Sequence, residues 1–190
     1  MDVYVNREQT VQERTATVFV IAWKKRHDAP HNFEGLPRAQ KIPFVDVVMV
    51  FNLNKTTTRG NKPPGWGLPA GGLKNGEGLF EAISREFQEE VGISLPTHAF
   101  KMLMRVPSSR NGEHGQGEEH ERVIFQCSLD DYCVDPPVLR PSDPYVRESQ
   151  FVPVEMLFMN NRELYDEPLY FSHMKLLFDA GIFQKHKCQK

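Results

Sequence analysis

The segment from Gly71 to Ile93 constrains this chain more than any other. It opens with Gly71-Gly72-Leu73-Lys74-Asn75-Gly76-Glu77 and closes with Arg85-Glu86-Phe87-Gln88-Glu89-Glu90-Val91-Gly92-Ile93. A tight glycine turn thus leads into a segment with helical spacing. Phe80, Ile83, Phe87 and Val91 form an apolar stripe along it. On a neighbouring face Glu89 and Glu90 follow Glu86 by three and four residues, so the three carboxylates project together. Acids held that close repel one another unless a cation sits among them, and an oxygen-rich set suits Mg²⁺ or Mn²⁺. A plainer reading also exists: Glu81, Arg85 and Glu89 have the spacing of intrahelical ion pairs on a solvated face.

The remaining chain reads as strands with few helices. Thr15 to Trp23 and Val45 to Asn52 are β-branched apolar runs, hence buried strands. Lys24 to Pro43 is a proline-bearing loop longer than most connections. Lys55 to Pro64 reads as a second polar loop. Phe100 to Val106 and His120 to Leu129 form a hairpin around the glycine-rich stretch Ser108 to Glu119. Asp130 to Glu148 is irregular and proline-rich, Gln150 to Val154 is a late strand, and Leu169 to Ile182 has helical periodicity.

Composition narrows the class. A chain of 190 residues with 39% hydrophobic and 25% charged residues is sized for one domain, residues 1–190, with its core at about 15–183. Loop insertions fall near 24–43 and 108–119. A formal net charge of −2 supplies no field to draw the chain to nucleic acid or an anionic membrane, so neither is an expected partner. Cys127, Cys133 and Cys188 lack zinc-type spacing and read as free thiols. With no signal core or membrane-length apolar run, the expectation is a soluble cytoplasmic protein.

Gly71, Glu77, Arg85, Glu86, Phe87, Glu89, Glu90, Gly92 and Ile93 fill every constrained position of the Nudix box. A chance match occurs on the order of once in a billion start positions at ordinary residue frequencies. The run Trp66-Gly67-Leu68-Pro69-Ala70 leads into the box as in the family, with Ala70 where glycine is common. Phe151 to Leu157 is similar to the family's late strand and turn, with Phe151 in the usual tryptophan position. The chain therefore resembles the Nudix hydrolases. The resemblance implies an α+β fold, a Nudix-type α/β/α sandwich with a mixed β-sheet. It also implies a pyrophosphohydrolase, using Mg²⁺ or Mn²⁺, that cleaves a nucleoside diphosphate linked to another moiety. The substrate would be a small molecule, a nucleotide sugar such as ADP-ribose or a nucleoside triphosphate. Family members often form homodimers.

Residue by residue, the resemblance assigns Glu86 and Glu90 as metal ligands and Glu89 as a third ligand or a base. Gly72 would add a backbone carbonyl to the metal set. Glu77 and Arg85 become structural, Arg85 by holding neighbouring carboxylates. A general base in this family often lies outside the box; Glu148 is the favoured candidate, ahead of Asp143, Glu118, Glu119 and Glu121. His114 and His120 are weaker candidates. Arg59 and Lys62, with Arg38 and Lys41, are placed to meet phosphate. Pro107 stands about fifteen residues after the box, where ADP-ribose-type members carry a proline. The alternative is a non-catalytic nucleotide-binding or sensor module on the same fold.

Overall fold

Two long apolar strands set the frame. In the computed structural model, which describes residues 15–26, 45–57, 60–108, 120–133, 137–159, 163–164 and 167–179, β1 runs Thr15–Lys25 and β2 runs Val45–Asn52. Arg38, Lys41, Arg59, His114, Glu118, Glu119 and Cys188 lie outside the described residues, as do most of the two loop insertions.

Lys55–Thr57 (β3) and Gly60–Lys62 (β4) pair as a small antiparallel hairpin, where the sequence suggested a loop. Gly65–Gly67 (β5), Ala70–Gly72 (β6), helix α1 (Leu79–Val91), β7 (Lys101–Ser108) and β8 (His120–Ser128) follow. The late strand β9 covers Val146–Pro153 and starts four residues earlier than expected, because β2 offers backbone partners out to Asn52. Two helices close the described chain, α2 (Met156–Met159) and α3 (Phe171–Asp179).

The central sheet runs β5-β2-β1-β8-β7, with β6 also paired to β1 and β9 to β2. Only the β1–β8 pairing is parallel, so the sheet is mixed as expected. Period-two alternation sends β1 side chains into two cores. Val18, Val20 and Ala22 pack with Ile83, Phe87 and Val91 of α1, while Phe19 and Ile21 pack with Met174 and Leu177 of α3. Both faces are covered, which is why β1 and β2 read as unbroken apolar runs. Burial of each of these large side chains contributes about 1.5–3 kcal/mol. Phe80 departs from the expected stripe: it is 41% exposed and lays only its ring edge on Phe125. Trp66 is buried against Phe51, with ring centroids 5.4 Å apart, under the turn rather than in a cleft.

One buried histidine ties α3 to the segment that feeds the glycine turn. His173 Nδ1 accepts the Leu68 N–H at 3.0 Å, and its ring meets Phe19 edge-on at 5.1 Å. A Cβ on Gly67 would stand 2.6 Å from that nitrogen, so only glycine leaves the ring its seat. Burial, with help from the charges of Lys62 and Arg122, pushes His173 down to about 3. The unfolded chain therefore takes up a proton below pH 6.5 that the folded chain refuses until about 3. Stability should fall as pH drops through that window, by up to about 1.4 kcal/mol per pH unit from this group. Urea unfolding of wild type and His173→Gln between about pH 7 and 4.5 should show the wild-type curve falling more steeply with acid.

Candidate functional site

The site forms where β6 turns into α1. Gly72 pairs with Thr17 of β1, and Gly76 takes a φ of 76°, a left-handed turn that favours glycine. The helix starts at a cap without a polar side chain, Gly78; the Glu81 carboxylate accepts the Gly78 N–H at 3.0 Å instead. Glu86 and Glu90 sit on the face of α1 that meets the turn and are 8% and 5% exposed, whereas Glu89 borders solvent.

Arg85 is the hub. Its Nε and Nη2 grip Glu77 at 2.7 and 2.9 Å, a two-pronged pairing. Nη1 donates to Glu86 Oε1 at 2.7 Å and Glu89 Oε2 at 3.1 Å, and Nη2 also donates to the Gly72 carbonyl at 3.0 Å. One cation thereby draws the turn, the helix and two of the clustered acids together. Glu77, whose carboxylate also accepts the Lys74 N–H, is held down to about 2, chiefly by Arg85. Arg85 itself is raised, with Glu77 the main cause.

The buried acids are pushed the other way. Desolvation raises Glu90 to about 8 despite the 2.8 Å hydrogen bond from the Ala70 N–H; the charges of Glu86 and Asp143 add to the rise. Desolvation also raises Glu86; Arg85 opposes it, while Glu89 and Asp143 reinforce it. Gly71 is glycine for a direct reason: a Cβ there would overlap the Glu86 carboxyl group.

Asp143 arrives on a strap formed by residues 137–143. The strap caps the C-terminal end of α1, where carbonyls lack helical partners. Arg140 N–H donates to Val91 O at 3.0 Å, and the N–H groups of Ser142 and Asp143 donate to Glu89 O at 2.7 and 2.9 Å. Gly92 is the seat. Its φ of 83° closes the helix, and a Cβ there would press on the Arg140 backbone, including its nitrogen at 2.8 Å.

Glu148 is not brought to this cluster. It pairs with Phe51 across β2–β9 and shares its face with Gln150 and Val152, the face away from α1. There it bonds Arg147 at 2.7 Å and Gln150 at 2.8 Å, and these bonds outweigh its desolvation to lower its pKa. The acid outside α1 whose charge reaches both Glu86 and Glu90 is Asp143. Sequence spacing favoured Glu148 for its nearness to the late strand; the strap hydrogen bonds that place Asp143 have no sequence signature. Lys62 stands over the Tyr170 ring at 4.3 Å, close enough for its charge to act on Glu90. Glu121 pairs with Arg105 at 3.2 Å, and His120 is buried on Thr17.

The donor set is all oxygen and predominantly anionic, which fits a hard divalent cation. Burial drives two of these carboxyls toward their neutral forms in spite of Arg85 and Lys62. Among the described residues no three His, Cys, Asp or Glu side chains converge as a ready metal cage. Arg85 and the Ala70 N–H hold oxygens of Glu86, Glu89 and Glu90 in their present directions.

A family model described as NUDIX domain matches residues 43–172. A search of curated proteins finds no match. Among solved structures, the chain is similar to the NUDIX domain of Shewanella oneidensis NrtR complexed with ADP ribose, at 17% identity and a TM-score of 0.58, covering 87% of this chain and 84% of that one. It is also similar to a MutT/nudix family protein from Enterococcus faecalis, at 16% identity and a TM-score of 0.57, covering 88% of this chain but only 61% of that one. A bifunctional NMN adenylyltransferase/ADP ribose pyrophosphatase from Francisella tularensis, complexed with AMP and Mn ion, matches at 15% identity and a TM-score of 0.51, over 90% of this chain and 42% of that one. At such identities these likenesses show the fold.

The two glycine seats should respond differently to a methyl group. Gly92→Ala meets rigid backbone at a left-handed φ and should lower unfolding free energy by roughly 2 kcal/mol or more. Gly71→Ala meets the end of a flexible side chain and should cost less stability while expelling the Glu86 carboxyl. Thermal melts of both variants, with structures of each, check this.

Proposed function

The chain belongs to the NUDIX family, and on that premise we propose that it is a divalent-metal-dependent pyrophosphohydrolase of a nucleoside diphosphate derivative. The observation that carries the reading is the retention of the whole acidic constellation, Glu86, Glu89 and Glu90, on one helix end beside Gly72. A binding module under no catalytic demand would gain stability by replacing buried Glu90 with an uncharged residue. ADP-ribose is the first substrate to try, in view of the ligand named for the Shewanella structure.

Glu86, Glu89 and Glu90, with the Gly72 carbonyl, would hold Mg²⁺ or Mn²⁺. Such a cation supplies Lewis-acid polarisation of a phosphoryl oxygen and lowers the pKa of water. The chain's own residues do the rest. Arg85 fixes the directions of Glu86 and Glu89 and locks the Gly72 carbonyl to the helix. The turn and helix are thus positioned before substrate arrives, which reduces the reorganisation left for the reaction. Asp143, oriented by the Tyr145 N–H at 2.7 Å, is the acid outside α1 that can accept a proton from the attacking water. Lys62 adds positive charge to the same neighbourhood and suits substrate phosphate. A cytosolic setting is part of this reading, and the free thiols of Cys127 and Cys133 are compatible with it.

The test is product release from a panel of nucleoside diphosphate derivatives with Mg²⁺, Mn²⁺ or chelator. Glu90→Gln should abolish metal-dependent cleavage, yet in chelator its melting temperature should equal or exceed wild type, because a buried charge is removed. Cleavage that persists in Glu90→Gln would overturn the assignment; silence across the panel, with nucleotide still bound, would favour the sensor. Asp143→Asn should lower kcat/KM by roughly 10²-fold, in the range of general-base loss. Glu148→Gln, on the other face, should stay within a few-fold of wild type in the same kinetic assay.

A further inference from the structure

The sheet face opposite α1 carries an arginine that the carboxylate cluster does not use. Strand register sets Gly72, Thr17, Arg122 and Val106 in one row across β6, β1, β8 and β7. Residues paired in this way project to the same face. The next row along contains Ala70, Phe19 and Ile124, which lie in the core beneath α3, so the row of Arg122 also faces away from α1. Thr17 Oγ1 shares a 2.9 Å hydrogen bond with buried His120, and Thr17 is the register partner of Arg122. At the other end of the row, a Cβ on Gly72 would meet nothing within 4 Å. The row therefore leads from an arginine to open space at the turn that carries the acids.

Arg122 is half-buried and makes no hydrogen bond or ion pair among the described residues. Its planar fork of donors matches phosphate oxygens. Lys62 lies on the same side: it stands 4.3 Å over the Tyr170 ring, which packs on His173 with ring centroids 5.2 Å apart.

We propose that Arg122, in one strand row with Thr17 and the open space at Gly72, is an anion subsite that binds a phosphate group of the substrate. The subsite lies across the turn from the α1 carboxylates. Its assignment to substrate rests on the hydrolase reading; its anion binding does not. It selects for molecules with a second charged phosphoryl group beyond the one held at the carboxylates. Nucleoside diphosphate derivatives meet that requirement, and phosphomonoesters do not.

Calorimetric binding of ADP to the full chain, in chelator, tests the subsite without catalysis. Arg122→Gln should weaken ADP about 10-fold or more, the usual scale for losing hydrogen bonds to a charged group. Arg122→Lys, which keeps the charge but loses the fork, should weaken it less, by about threefold. Inorganic pyrophosphate should compete with ADP, and adenosine should not. If turnover is found on the panel, Arg122→Gln should raise KM with kcat nearly unchanged. ADP affinity within twofold of wild type in both variants would overturn the subsite. So would a wild-type chain that binds neither ADP nor pyrophosphate, or competition by adenosine alone. Should Arg122→Gln fail to fold, unchanged affinity in Arg122→Lys would still overturn it. A chain that turns over nothing but binds ADP through Arg122 would defeat the hydrolase reading and leave the subsite standing.

Discussion

The seam between α1 and the Gly71–Gly72 turn depends on a conflict between burial and charge. Glu86 and Glu90 face inward because α1 must bury Ile83, Phe87 and Val91 against the sheet, and the rotation that does so carries the acids to the turn. Two carboxyls out of water cost several kcal/mol unless partners are supplied. Arg85 and the Ala70 N–H supply part of that, while burial still pushes Glu86 and Glu90 upward. A cation would remove the remainder.

The surrounding features serve that seam. Gly71 makes room for the Glu86 carboxyl, and Gly92 makes room for the strap that carries Asp143. His173 and Gly67 interlock to hold Leu68, from which the chain runs directly into the turn. Substitutions at these positions would move the seam without removing any of its carboxylates. On the other face of the sheet, Lys62 stands over the Tyr170 ring, which packs on His173.

Much of this was legible in the residues. The β1 and β2 runs and the helix over the box follow from local spacing, and the role of Arg85 as a clamp is the one the family resemblance implied. Local rules failed where a partner distant in sequence decided the outcome. The start of β9 at Val146 depends on β2, the hairpin of β3 and β4 replaces a predicted loop, and the exposure of Phe80 reflects how α1 is rolled on the sheet. Glu148 and Asp143 are only five residues apart in the chain. Nothing in their local sequence says that one joins a strand facing away from α1 while the other caps its last turn.

The sequence by itself determined which groups this protein has for chemistry: three acids on one helix face, an arginine among them, and glycines where the backbone must turn or be approached. Those are consequences of periodicity and of the missing Cβ, both local properties. Tertiary structure decided which further residues meet them. Strand register put Arg122 in line with Thr17 and Gly72, and backbone hydrogen bonds to the end of α1 brought in Asp143. Register and docking are set by which apolar faces bury together across the whole chain, so no window of sequence contains them.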